Sequence, residues 1–242
     1  MILSVHQPQY LPWLGYFDKI AASDLFVFLD LPQYKKREFQ NRNRVKGPQG
    51  EVWLTLPVLT KGRFDQPIRE VELDPTQDWR RSHWASLELN YRKAPYWADY
   101  SGELRAFYER DWDRLCPLNM EMTLWMLAKL GISTPVKVES GIGTSTASTD
   151  RLIELCRKTG ATEYLSGAGG RDYMDQARFE REGLGLRFQH YEHPVYRQQY
   201  PKTPFVPYLC ALDLLFNEGP GSLGILRGKS GSAPLGGAGG AA

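Results

Sequence analysis

The first thirty residues constrain the fold more than any other part of the chain. Ile2-Leu3-Ser4-Val5-His6 reads as a short buried strand, ended by Gln7-Pro8. Pro12 stands where a helix can begin, since proline is tolerated in a first turn. Leu14, Phe17, Ile20 and Ala21 recur at helical spacing, which predicts a helix over 12–22. The unbroken apolar run Leu25-Phe26-Val27-Phe28-Leu29 then has the pattern of a strand covered on both faces. Strand, helix and strand in so short a span make a βαβ unit, which demands a parallel sheet. The fold class is therefore α/β. Open parallel sheets bind ligands beyond the carboxyl ends of neighbouring strands. That rule selects His6 and Gln7 from the first strand, and Asp30 and Gln33 from the second. The helix between them aims its free N–H groups at the same place and favours negative charge there.

The stretch Lys35-Lys36-Arg37-Glu38-Phe39-Gln40-Asn41-Arg42-Asn43-Arg44-Val45-Lys46 follows at once. The whole chain carries a formal net charge of only +2, so these cations are a local concentration. Arg and Lys supply charge, while Gln40, Asn41 and Asn43 supply directional donors and acceptors. The mixture suits a pocket that holds an anion and reads its shape, and Lys36, Arg37, Gln40, Asn41, Arg42 and Asn43 are expected to line it with His6. A solvated basic loop is the bland alternative. Tyr10, Trp13 and Tyr16 add aromatic surface from the neighbouring loop and helix.

Further on, Val52–Val58 and Ile68–Leu73 alternate as strands do and are expected to pair with each other. From about 78 to 131 the pattern is helical and aromatic, with Leu118 to Leu130 apolar enough for a buried helix. Val136 to Val138 returns to the sheet, 141–149 is a loop, and Asp150 to Lys158 is a helix with Ser148 or Thr149 as N-cap. Glu163 to Ser166 is a strand, a further helix starts near Tyr173, and Leu186 to Tyr191 is another strand. The expected organisation is one α/β domain over 1–227 with a helical insertion, and a disordered Gly/Ala/Ser/Pro tail over 228–242.

The turn Ser166-Gly167-Ala168-Gly169-Gly170-Arg171-Asp172-Tyr173 can expose N–H groups to an anion, so Ser166, Gly167 and Tyr173 join the candidates. It is neither a GxGxxG fingerprint nor a Walker A loop, and the question of a cofactor stays open. His190 and His193, three apart on a strand, face opposite sides and do not make a metal site; His193 is retained as a candidate general base. Cys116, Cys156 and Cys210 are odd in number and widely spaced, which fits a reducing cytoplasm rather than a disulfide framework. No apolar run reaches the roughly 20 residues needed to span a bilayer.

The layout from Ser4 to Gln33 is similar to the first βαβ unit of the nucleotidyltransferase and pantothenate synthetase superfamily. Of its His-x-Gly-His element, however, Trp13-Leu14-Gly15-Tyr16 keeps only the glycine, so that likeness speaks to the fold alone. A wider resemblance rests on four separated motifs in order: 6–16 (HQPQYLPWLGY), 37–43 (REFQNRN), 164–167 (YLSG) and 193–196 (HPVY). Together they resemble the WbqC-like family. That family accompanies bacterial surface-polysaccharide and other biosynthetic gene clusters, which implies a biosynthetic role.

The expectation is an enzyme, a transferase moving an acyl or aminoacyl group to an amine, for example on a nucleotide-linked sugar. The partner is an anionic small molecule, a nucleotide sugar or an acyl thioester. Nucleotidyl transfer or ligation is the alternative reaction, and a docking module for an acyl carrier protein is the alternative class. Nucleic acid is disfavoured because the chain is near neutral overall. His6, Asp30 and His193 are the candidate catalytic groups, with Asp30 or Tyr16 setting the His6 tautomer.

Overall fold

The expected βαβ unit forms. β1 (Ile2–His6) leads through α1 (Leu14–Ala21) into β2 (Leu25–Phe28), and the strands pair in parallel with Leu3 opposite Leu25 and His6 opposite Phe28. A computed structural model of the chain describes residues 1–172, 174–228 and 230–234. Along β2 the side chains alternate between two cores. Leu25 and Val27 pack with Leu3 and Val5 on one face, Phe26 and Phe28 with the aromatic core on the other. All four β2 residues are buried, as a strand covered on both faces requires.

After β2 the chain leaves the sheet. β3 (Arg42–Gly47) and β4 (Gly50–Thr55) form an antiparallel hairpin of their own, followed by α2 (Trp79–Tyr91), α3 (Trp97–Glu109) and α4 (Leu115–Leu130). β5 (Val136–Val138) then adds to the far side of β2. α5 (Glu139–Ile142) and α6 (Ser148–Thr159) carry the chain back, and β6 (Glu163–Ser166) pairs in parallel with the other edge of β1. α7 (Gln176–Arg181) and β7 (Gly185–Tyr191) extend that side. α8 (Leu212–Glu218) and α9 (Ser222–Arg227) precede β8 (Ser230–Pro234), which runs antiparallel to β7. The strand order is β5-β2-β1-β6-β7-β8, and the first five in that order are mutually parallel.

Several expectations change. The strand expected over 52–58 pairs backwards with 42–47, so the second half of the basic cluster is a strand. A two-residue turn at Pro48-Gln49, followed by Gly50 at φ +127°, closes this hairpin locally, and local pairing avoids the entropy of closing a longer loop. Of the pairing expected with 68–73 there remains the Val58–Leu73 bridge, while Ile68–Glu70 is a 3-10 turn. Part of the loop expected at 141–149 belongs to α5, and the residue at the N-cap of α6 is Ala147. Within the stretch expected to be disordered, Ser230–Pro234 pairs along β7. Tyr173, Lys229 and 235–242 lie outside the described residues. Among the described residues no helix is long and apolar enough to cross a membrane.

Candidate functional site

The chain builds the sheet outward from β1 on one side, through β2 to β5, and then on the other, through β6 to β7. The order therefore reverses between β1 and β6, and ligands of such sheets bind outside the strand ends at that reversal. His6-Gln7 leaves β1 and Ser166-Gly167 leaves β6 at this point. A cleft of about 660 Å³ opens there, lined by these residues together with Lys19, Gln33, Lys35 and Arg151. Among the described residues its lining includes no Asp or Glu.

His6 occupies the wall beside the Tyr16 ring, with centroids 4.8 Å apart. Its Nδ1 lies 3.1 Å from the Gln7 carbonyl oxygen, which can only accept, so Nδ1 carries the proton and Nε2 keeps its lone pair. Burial, with the Lys19 charge adding, pushes the imidazole down to about 3. The ring is partly open to the cleft and is held in the neutral form. Tyr16 is buried and donates its hydroxyl to the same Gln7 carbonyl at 3.3 Å.

Lys19, like Arg151, is a lining residue that pattern reading missed. It lies in α1, where every residue from Leu14 to Ile20 is buried. Its Nζ donates to the Val5 carbonyl at 3.0 Å, and burial lowers its pKa to about 7. In the sequence Asp18-Lys19 looks like a solvated pair. The available clue was that a helix packed on a parallel sheet and covered by further elements has no solvent side for them. Asp18 instead accepts from Gln189 Nε2 of β7 at 2.6 Å.

Ser166 is buried, its Oγ 3.0 Å from the Gly167 carbonyl oxygen and 3.3 Å from Met174 Sδ. The turn packs so closely on it that a Cβ at Gly170 would stand 2.0 Å from that Oγ. Arg151 reaches the rim from α6, restrained by Glu139 at 3.1 Å and by the Thr146 carbonyl at 3.0 Å. Gln33 donates to the Phe64 carbonyl at 3.0 Å and stands between this cleft and a smaller one of about 370 Å³, where Lys36, Arg63 and Phe64 sit.

The other candidates take up different positions. Asp30 does not line the cleft; its Oδ1 accepts the Ser140 N–H at 2.9 Å and so fixes the start of α5. Gln40 donates to Gln7 Oε1 at 2.7 Å and accepts from the Lys35 N–H at 3.0 Å, bracing a lining residue from behind. Asn41 donates to the Leu56 carbonyl at 2.8 Å, and Asn43 to the Leu11 carbonyl at 2.7 Å. Arg42 lies 4.6 Å over the Trp53 ring and donates to the Arg37 carbonyl. Arg37 is exposed, with a positive φ of 66°. Tyr10 is fully buried, its hydroxyl shared with His83 Nδ1 and the Tyr108 hydroxyl.

Trp13 packs against Tyr191 and Tyr208, and its ring lies so close to Gly15 that a Cβ there would stand 2.2 Å away. Gly15 therefore has a packing reason in this chain. His193 stands in the same aromatic group, with Tyr196 and Phe205, and its Nδ1 is 2.9 Å from the Pro194 carbonyl oxygen. It does not line the cleft. Burial raises all three thiols to about 12, which leaves them unreactive. Among the described residues no group of three or more side chains is arranged to hold a metal ion.

Comparison with known proteins agrees with the motif reading. The model of the WbqC-like protein family matches residues 7–225. A curated relative, "Uncharacterized protein Rv1507c" of Mycobacterium tuberculosis, is 40% identical over 228 residues, covering 93% of this chain and 97% of its own. No solved structure matches the chain at a significant level. With the match running from Gln7 at the cleft to Ile225 in α9, the chain belongs to the WbqC-like protein family.

Proposed function

We propose that this chain is a biosynthetic enzyme that binds an anionic small molecule in the cleft between β1 and β6. There it transfers an acyl or aminoacyl unit to an amine, for example on a nucleotide-linked sugar: the amine nitrogen forms the new C–N bond as the acyl carbon's bond to the donor's leaving group, such as a thiolate, breaks, and the amine proton leaves with that group. The observation that carries this reading is a lining with Lys19, Lys35 and Arg151 and no carboxylate. Such a surface attracts anions and repels cations. Family membership supports the biosynthetic setting, since the resemblance implies it. The active role falls to His6, whose Nε2 lone pair orients the attacking amine while its Nδ1–H is fixed on Gln7. A ring held so firmly neutral accepts a hydrogen bond far better than a full proton. Positioning, rather than a covalent intermediate, is the main source of rate.

A thermal-shift screen of nucleotides, nucleotide sugars and acyl thioesters tests this. Anionic members should raise the melting temperature by several degrees, and Lys19→Met should abolish the response. With the substrate so found, His6→Asn should lower turnover by about two orders of magnitude and leave affinity within a few-fold. No stabilisation by any anionic compound, or turnover unaffected by His6→Asn, would refute the assignment.

A further inference from the structure

Among the described residues no carboxylate forms an ion pair with Lys19, an amine that lines the cleft. Lys19 is 4% exposed, its Nζ is hydrogen-bonded to a carbonyl, and its pKa is set by burial with no carboxylate contributing. A buried ammonium without a counter-ion is unfavourable, so the free protein tends to release that proton near neutrality. The groups around it do not change this. His6 of β1 and Tyr16 on the same helix are both held neutral by burial, and Asp18 is engaged by Gln189 of β7. Tyr164 and Ser166 come from β6, Lys35 from the segment after β2, and Arg151 of α6 is paired with Glu139.

We propose that Lys19 is the counter-charge for a phosphoryl group of the substrate, and that this group binds with uptake of one proton by Lys19 Nζ. The inference rests on the anionic-ligand reading of the cleft and deepens it. A phosphoryl group offers several acceptor oxygens. Lys19, Lys35, Arg151 and Ser166 all line the cleft, Nζ standing 3.9 Å from where a Cβ at Gly167 would lie, and the Ser166 hydroxyl can turn from the Gly167 carbonyl to an anion; several cations and a hydroxyl suit a dianion better than a single carboxylate. The balance is simple: the amine lone pair takes a proton from the buffer as the anion docks, and returns it when the anion leaves. No covalent bond forms. Affinity is then highest between about pH 6, below which the phosphoryl group itself takes up a proton, and about pH 7, and falls about tenfold per pH unit above that.

Calorimetric titration of the full chain with inorganic pyrophosphate, in two buffers of different protonation enthalpy, reads this directly. At about pH 8.5 the wild type should take up about one proton per site, and at about pH 6 almost none. Lys19→Arg keeps the charge without a titratable amine. It should bind with no uptake at the higher pH, and Lys19→Met should bind at least tenfold more weakly. Wild-type binding without uptake at about pH 8.5, or the same uptake in Lys19→Arg, overturns this inference and leaves the cleft reading standing. No binding of pyrophosphate by the wild type at either pH overturns both.

Discussion

Lys19 and His6 are both bases whose charged forms are resisted by burial, and this fixes the sign of their effect on stability. His6 titrates near 6.5 when unfolded and is pushed down to about 3 when folded. The unfolded chain therefore binds more protons between those values, and stability is lost as pH falls below about 6.5. For Lys19 the window runs from about 7 to 10.5, so the free protein gains stability as pH rises through it. The gain is up to about 1.4 kcal/mol per pH unit for one proton. Denaturant unfolding of the wild type and of Lys19→Met at about pH 7 and pH 9 isolates that contribution. The variant should be the more stable at the lower pH and lack that share of the rise; identical pH slopes would show that Lys19 is not held as described. The sequence announced His6, because a histidine at the end of a first parallel strand has few places to point. It hid Lys19, because a lysine in an amphipathic helix ordinarily faces water.

The basic cluster shows how element type changes a residue's meaning. In β3, Asn43 and Val45 point inward while Arg42 and Arg44 are half-buried on the outer side. This period-two pattern was masked by the density of charge. The inward amides mend backbone: Asn43 ties β3 to the loop at Tyr10 and Leu11, and Asn119 of α4 donates to the Gln40 carbonyl at 2.7 Å. Asn43→Ala and Asn119→Ala should each destabilise the fold by about 1–3 kcal/mol, the cost of leaving buried acceptors unpaired. Chemical denaturation checks this, and an unchanged midpoint for Asn43→Ala would return Asn43 to the candidate ligand contacts. By contrast, β1, β2, β6, β7 and α4 were legible because their apolar runs match the period or the length of the element they form.

Across the whole molecule, the site depends on a pairing that no local pattern reports. β6 joins β1 with Ser4 opposite Leu165, some 160 residues apart in sequence, and this brings Ser166 beside His6. Sequence reading placed the crevice between β1 and β2 because only those strands were neighbours in the chain. A second long-range assembly holds the other end of the chain in place. Asp213 of α8, raised to about 6 by burial, accepts from the Tyr91 hydroxyl, the Tyr196 hydroxyl and Gln198 Nε2, each at 2.8 Å. The segment around His193, a candidate site by motif, is thereby packed into this polar and aromatic framework.

A crystal structure of the protein soaked with the best anionic ligand from the thermal-shift screen would decide where that ligand binds. The anionic group should lie within hydrogen-bonding distance of Lys19 Nζ and the Ser166 hydroxyl, with the rest of the molecule passing His6 toward Gln33. A ligand seated instead on the Arg42–Trp53 face or beside His193, with the β1–β6 cleft empty, would contradict the account.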